Sequence, residues 1–135
     1  MNNTSTHAVM YLRARSVGTD GTDRKHEETQ IDMQRQACMR RAEEMGVQLI
    51  REYAEYGGTG PISERPELRL MLDELTALHD VRYVITTSLD RLARRTADLH
   101  AVHLATEAAG AELILADGTH VQPFGELLAT IGGLA

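Results

Sequence analysis

Val81-Arg82-Tyr83-Val84-Ile85-Thr86-Thr87-Ser88-Leu89-Asp90-Arg91-Leu92-Ala93-Arg94-Arg95 decides the fold. Its first half, Val81 to Thr87, is rich in β-branched residues and reads as a strand. A helical stretch, Thr96 to Ala109, follows and is closed by Gly110. The same strand-then-helix unit recurs on both sides. Ala8 to Leu12 is a short apolar run that reads as a buried strand. Arg13 to Glu28 is polar, holds Gly18 and Gly21, and reads as a long loop of the kind that carries function. Thr29 opens a helix, with Asp32 three residues on as in a capping box. Ile31, Cys38, Ala42 and Met45 then fall at helical spacing, and Gly46 ends the helix.

Val47 to Tyr53 reads as a second strand, and Gly57-Gly58-Thr59-Gly60-Pro61 as a turn cluster. Pro66 opens the next helix, where its missing N–H costs nothing, and Leu68, Met71, Leu72 and Leu75 form the apolar stripe. Ala111 to Ala116 is a fourth strand. Pro123 starts a last helix with Phe124, Leu127, Leu128, Ile131 and Leu134 on one face, either core or an oligomer surface. Alternation of this kind implies an α/β fold: a mostly parallel central sheet flanked by helices, joined by right-handed crossovers. Ligands of such sheets meet the carboxyl ends of the strands.

Composition narrows the function classes. A chain of 135 residues suits one domain. The net charge of −6, from 14 Lys+Arg against 20 Asp+Glu, excludes a bulk nucleic-acid binder, so any DNA contact must rest on local clustering. The single cysteine, Cys38, excludes a disulfide framework and a cysteine-rich zinc site, and reads as a small buried hydrophobe. No apolar run approaches the roughly 18 residues of a membrane span, and Met1 to His7 lacks a signal-peptide core, so a cytoplasmic location is expected. His100 and His103 lie at i, i+3 without a partner pattern for metal and read as surface or partner-facing residues.

Chemistry gathers at the strand ends. Strand one runs out in Tyr11-Leu12-Arg13-Ala14-Arg15-Ser16 and strand three in Leu89-Asp90-Arg91-Leu92-Ala93-Arg94-Arg95, which brings Arg13, Arg15, Arg91, Arg94 and Arg95 towards one edge. Guanidinium groups match phosphate oxygens bidentately and stay charged at any working pH. Transfer of a phosphodiester needs such donors, because charge grows on the phosphate oxygens. A hydroxyl nearby, from Ser16 or Thr19, can attack phosphorus. Surface ion pairs are the plainer reading of the same arginines. Gly57, Gly58 and Gly60 do not have the spacing of a phosphate-cradling loop. A phospho-receiver is a poor fit, because strand one ends in arginines rather than clustered acids.

In order along the chain, Tyr11-Leu12-Arg13, Gln34-Arg35, Gly57-Gly58-Thr59-Gly60, Glu64-Arg65-Pro66 and Leu89-Asp90-Arg91-Leu92-Ala93-Arg94 with its trailing Ala97-Asp98 resemble the catalytic domain of the serine site-specific recombinases, the resolvase/invertase kind. The match runs from about Ala8 to the chain end. The resemblance implies site-specific DNA recombination: a serine attacks a DNA phosphate, forms a phosphoserine link and releases a 3′ hydroxyl. It also implies a homodimer, a tetramer in the synaptic complex, double-stranded DNA as partner, and no metal, nucleotide or other cofactor. By position, Arg13, Arg91 and Arg94 would hold the scissile phosphate, and Gln34 and Arg65 would support the site. Asp90 would protonate the leaving group or order the arginines, with a structural salt bridge as the other reading. Residues 1–122 would form the resolvase-like catalytic domain, and 123–135 the start of a long dimerisation helix. The separate DNA-binding region of such proteins would be absent, leaving weak DNA binding.

The chain departs from the pattern in places. The family's Y-x-R-x-S has Arg15 at the serine position, with Ser16 following as a displaced nucleophile, and a one-residue slip in a strand turns a side chain to the other face. Thr19 stands for a glutamine. In the family's D-x-G-x-S-G, Tyr56 is read at the acid, with Glu55 beside it, and Thr59 replaces the serine. Activity would therefore depend on Ser16 acting as nucleophile; a catalytically inactive DNA-binding or oligomerising module is the alternative.

Overall fold

A computed structural model describes residues 6–14, 23–57, 64–92, 96–119 and 121, and of Asp23 and Asp90 the backbone alone. The described elements are β1 (His7–Ala14), α1 (Asp23–Met45), β2 (Gln48–Tyr56), α2 (Pro66–Leu78), β3 (Val81–Thr86), α3 (Leu89–Leu92), α4 (Thr96–Ala108) and β4 (Glu112–Leu115). The four strands form one sheet in the order β2-β1-β3-β4. Every pairing is parallel, so among the described residues the expected mostly parallel sheet is wholly parallel.

Alternation along β1 splits the interior into two layers. Val9 and Tyr11 pack with Tyr53, Leu68, Met71, Leu75 and Val102 under α2 and α4. Ala8, Met10, Leu12 and Ala14 pack with Ile31, Cys38 and Ala42 under α1. β1 is covered on both faces and buried from Ala8 to Ala14, and it is accordingly apolar save for Arg13 near its end and the Tyr11 hydroxyl. Full burial of Leu68, Met71 or Leu75 is worth about 1.5–3 kcal/mol each.

The order β2-β1-β3-β4 also locates a crevice. From β1 the chain crosses by α1 to β2 on one side; from β3 it crosses by α3 and α4 to β4 on the other. Right-handed crossovers in opposite directions use opposite faces of the sheet. The connections leaving β1 and β3 therefore diverge, and the gap between them at the carboxyl ends is where open α/β sheets take ligands.

Two sequence expectations need correction. α1 begins at Asp23, not at Thr29. Glu27, Ile31, Gln34, Cys38 and Ala42 form one continuous buried stripe, so packing carries the helix through the supposed loop. Thr29 makes no cap: its hydroxyl donates to the Lys25 carbonyl one turn back (3.0 Å). His103 is also not a surface residue; it is 5% exposed, on the face of α4 that buries Val102 and Thr106, with Nε2 3.5 Å from Glu107. The helix expected from Pro123 and the domain boundary at 122/123 lie outside the described residues.

Candidate functional site

Arg13 is the penultimate residue of β1 and pairs with Glu55 of β2. Paired residues of neighbouring strands share a face. Tyr11, Arg13, Tyr53 and Glu55 are accordingly all buried on the side of α2. From the other side of the sheet, Gln34 of α1 holds the Arg13 backbone. Its Oε1 accepts from the Arg13 N–H at 2.9 Å, and its Nε2 donates to the Arg13 carbonyl at 2.7 Å. A buried glutamine on an apolar stripe is costly unless both ends of its amide are paired. Here they satisfy a strand end that has run past the end of β3.

Arg65 enters from the start of α2. Pro66 occupies the first turn and confines the preceding residue to extended backbone, as the Arg65 dihedrals (φ −123°, ψ 81°) show. The side chain is thereby directed inward and is 1% exposed. Its Nη2 donates to the Tyr11 hydroxyl (2.6 Å) and to the Arg91 carbonyl (2.7 Å). Arg65 Nε is buried without a hydrogen-bond partner among the described residues. Arg91, on α3, in turn donates from Nη1 to the Arg13 carbonyl (3.1 Å). Arg65 and Arg91 through their guanidinium groups, and Arg13 through its backbone, thus belong to one connected network at the switch point of the sheet. A cavity of about 380 Å3 opens beside it, lined by Gln30, Met33, Gln34, Thr87 and Arg91.

Glu55 brings a carboxylate into the network. It accepts from the α2 amides of Glu67 (3.3 Å) and Leu68 (3.1 Å) and from the Tyr11 hydroxyl (3.3 Å). Arg65 itself gives α2 no side-chain cap, so Glu55 performs the capping from β2. Burial holds the Tyr11 phenol above its ordinary pKa, against the opposing pull of the Arg65 guanidinium. Tyr11 therefore stays a neutral hydroxyl that can accept from Arg65 and donate to Glu55.

Of the residues singled out from sequence, Arg13, Gln34, Arg65 and Arg91 are brought together. Ser16, Thr19, Arg94, Arg15, Arg95 and Thr59 lie outside the described residues, as does the Asp90 side chain. Glu55 and Tyr11 were undervalued. Counted back from Gly57, the D-x-G-x-S-G pattern puts its acid at Glu55 rather than Tyr56, and the structure agrees: Glu55 is 4% exposed and bonded into the site, whereas Tyr56 is exposed and lies under the Arg24 guanidinium, 4.1 Å from its ring centroid.

Known proteins agree with this architecture. The N-terminal catalytic domain of TP901-1 integrase is 22% identical, with a TM-score of 0.71 over 93% of this chain and 89% of its own. A resolvase family site-specific recombinase from Streptococcus pneumoniae is 19% identical, with a TM-score of 0.73 over 96% of this chain and 85% of its own. The C-terminal catalytic domain of ISC1926 TnpA, an IS607-like serine recombinase, is 21% identical, with a TM-score of 0.68 over 93% and 79%. At these identities the likeness establishes the fold. No curated protein matches the chain. The family described as "Resolvase, N terminal domain" matches residues 8–135, nearly the whole sequence, and the chain belongs to that family.

Proposed function

We propose that this chain is the catalytic domain of a serine-type site-specific DNA recombinase, acting on double-stranded DNA as a dimer that pairs into a tetramer. One observation carries the reading: the Arg91 guanidinium is bonded to the Arg13 backbone at the end of β1 and the Arg65 guanidinium to the Arg91 backbone, which gathers three arginines at the strand ends. Arg91 lines the adjacent cavity, and arginines gathered at such a point suit an anion whose charge grows during reaction. The similar folds of an integrase and two recombinases support the same class of chemistry.

In this reading Ser16 Oγ attacks a backbone phosphorus. The new bond is Oγ–P, and the bond to the 3′ oxygen breaks. The serine proton passes to a base or solvent, and the 3′ oxygen leaves as a hydroxyl, with Asp90 as the candidate donor. Arg13, Arg91 and Arg94 hold the phosphate, and Gln34 and Arg65 hold the arginines. Rejoining is the reverse attack by a 3′ hydroxyl; because the link preserves the bond energy, the reaction needs no nucleotide.

A second reading rests on Arg15 at the serine position of the family pattern. In it the chain is an oligomerising, DNA-associated module that does not cleave. The test is adduct formation, with the chain fused to a DNA-binding domain of known site and presented with duplexes randomised between two such sites. A detergent-resistant adduct mapping to Ser16, lost in Ser16→Ala and Arg91→Ala, is expected. No adduct from the parent, but one from Arg15→Ser, would favour the second reading. No adduct from either folded protein would overturn cleavage chemistry.

A further inference from the structure

We propose that Tyr11 is a positioning residue: its hydroxyl fixes the rotation of Arg65 so that Arg65 carries the Arg91 backbone, and so sets where the Arg91 guanidinium stands. This rests on the phosphate role given to Arg91 above only for its consequence, not for its geometry.

The donor count forces the coupling. Arg65 Nη2 has two hydrogens, and both are committed, one to Tyr11 Oη at 2.6 Å and one to the Arg91 carbonyl at 2.7 Å. The plane of the guanidinium is fixed only while both acceptors are present. Tyr11 Oη is itself held by donating to Glu55 Oε1 at 3.3 Å, and Glu55 is anchored on the α2 amides. The guanidinium carbon also lies 5.5 Å from the Tyr11 ring centroid, so ring and hydroxyl act on the same group. α3 has four residues and few bonds of its own to hold it. Its placement on β1 comes from the Arg65 bond to the Arg91 carbonyl, the Arg91 bond to the Arg13 carbonyl and packing of the fully buried Leu92. Tyr11 thus reaches the far side of the site through Arg65, without touching the cavity beside Arg91.

Tyr11→Phe isolates the hydroxyl, because it keeps the ring and its contact with the guanidinium. The measurement is nitrogen-15 NMR of the chain: the Arg91 Nε–Hε signal, the amides of residues 89–92, and titration with thymidylyl-thymidine as the phosphodiester probe. In Tyr11→Phe the Arg91 signals should move while amides of α1 and β4 stay put, and the dissociation constant should rise about tenfold, as for one hydrogen bond to a charged group. In an Arg65→Lys background, where the two-acceptor fork is already gone, Tyr11→Phe should add nothing. Equal effects in both backgrounds, or unmoved Arg91 signals in a folded Tyr11→Phe chain, would overturn the proposal. If Tyr11→Phe fails to fold, Glu55→Gln takes its place, and unmoved Arg91 signals there count equally against it. If the dinucleotide does not bind at all, the Arg91 signals still decide the positioning role, and the loss falls on the recombinase reading.

Discussion

Replacing Glu55 by alanine should be among the most destabilising single changes outside the apolar core. The carboxylate is 4% exposed and takes the amides of Glu67 and Leu68 together with the Tyr11 hydroxyl. Pro66 has no N–H, so these two amides are the first donors of α2, and Glu55 covers both. Losing a capping oxygen costs about 1 kcal/mol, and each buried donor left without an acceptor about 1–3 kcal/mol. The negative charge at the helix start adds about 0.3–1 kcal/mol. These contributions overlap, so about 3 kcal/mol is the expected total for Glu55→Ala. Glu55→Gln keeps the volume and one acceptor oxygen, and should cost about 1–2 kcal/mol. Urea unfolding reads the difference. With a slope of about 2 kcal/mol per molar, the alanine midpoint should fall by about 1.5 M with the slope unchanged. A midpoint within about 0.3 M of the parent would refute the capping role, and a glutamine variant more stable than the parent would refute the part the negative charge plays at the start of α2.

Further outcomes follow from other buried polar contacts. Gln34→Leu removes the bonds to the Arg13 N–H and carbonyl, leaving the carbonyl its bond from Arg91 Nη1, and should lower stability by about 1–3 kcal/mol in thermal unfolding, where Gln36→Leu, on the exposed side of α1, should do almost nothing. Arg35 grips Glu52 through two bonds (2.6 and 2.8 Å), and hydrogen bonding to it holds the Glu52 carboxyl below the ordinary value of 4.5. A depressed carboxylate stabilises above its unfolded pKa and loses that contribution as pH falls through its folded one. Unfolding midpoints measured from about pH 6 down to about pH 3 should therefore fall more steeply for the parent than for Glu52→Gln, and parallel curves would contradict this. The Cys38 thiol is fully buried and pushed up to about 12 by burial, so the folded chain should resist thiol reagents near neutral pH and label only on unfolding. Gly118 has φ +98°, and a Cβ there would meet Arg41 Nη2 at 2.9 Å; Gly118→Ala should cost about 1 kcal/mol or more in the same urea assay.

How much of this was legible in the sequence depended on how local the signal was. Ala8 to Leu12 and, in β3, Val84 to Thr86 are buried on both faces, so these runs announced strands directly. The start of α1 did not show, because Arg24, Lys25 and His26 are exposed and mask the buried Glu27 that continues the stripe of Ile31 and Gln34. Thr29 and Asp32 then imitated a cap that tertiary packing overrides. The arginines of the site could be named from their positions at strand ends, since the topology requires those ends to meet. Their linkage could not, because Arg65 meets Tyr11 across 54 residues and Arg91 meets Arg13 across 78. His103 was misjudged for a similar reason: which face of a moderately apolar helix turns inward is decided by α2 and β4, not by α4 alone.

The most direct test is a crystal structure of the chain with a phosphodiester oligonucleotide bound. The expected result is one backbone phosphate within about 3.2 Å of side-chain nitrogens from both Arg13 and Arg91. A phosphate held by Arg91 alone, with the Arg13 guanidinium left buried on the α2 side of the sheet as in the free chain, would contradict the convergence on which the recombinase reading depends.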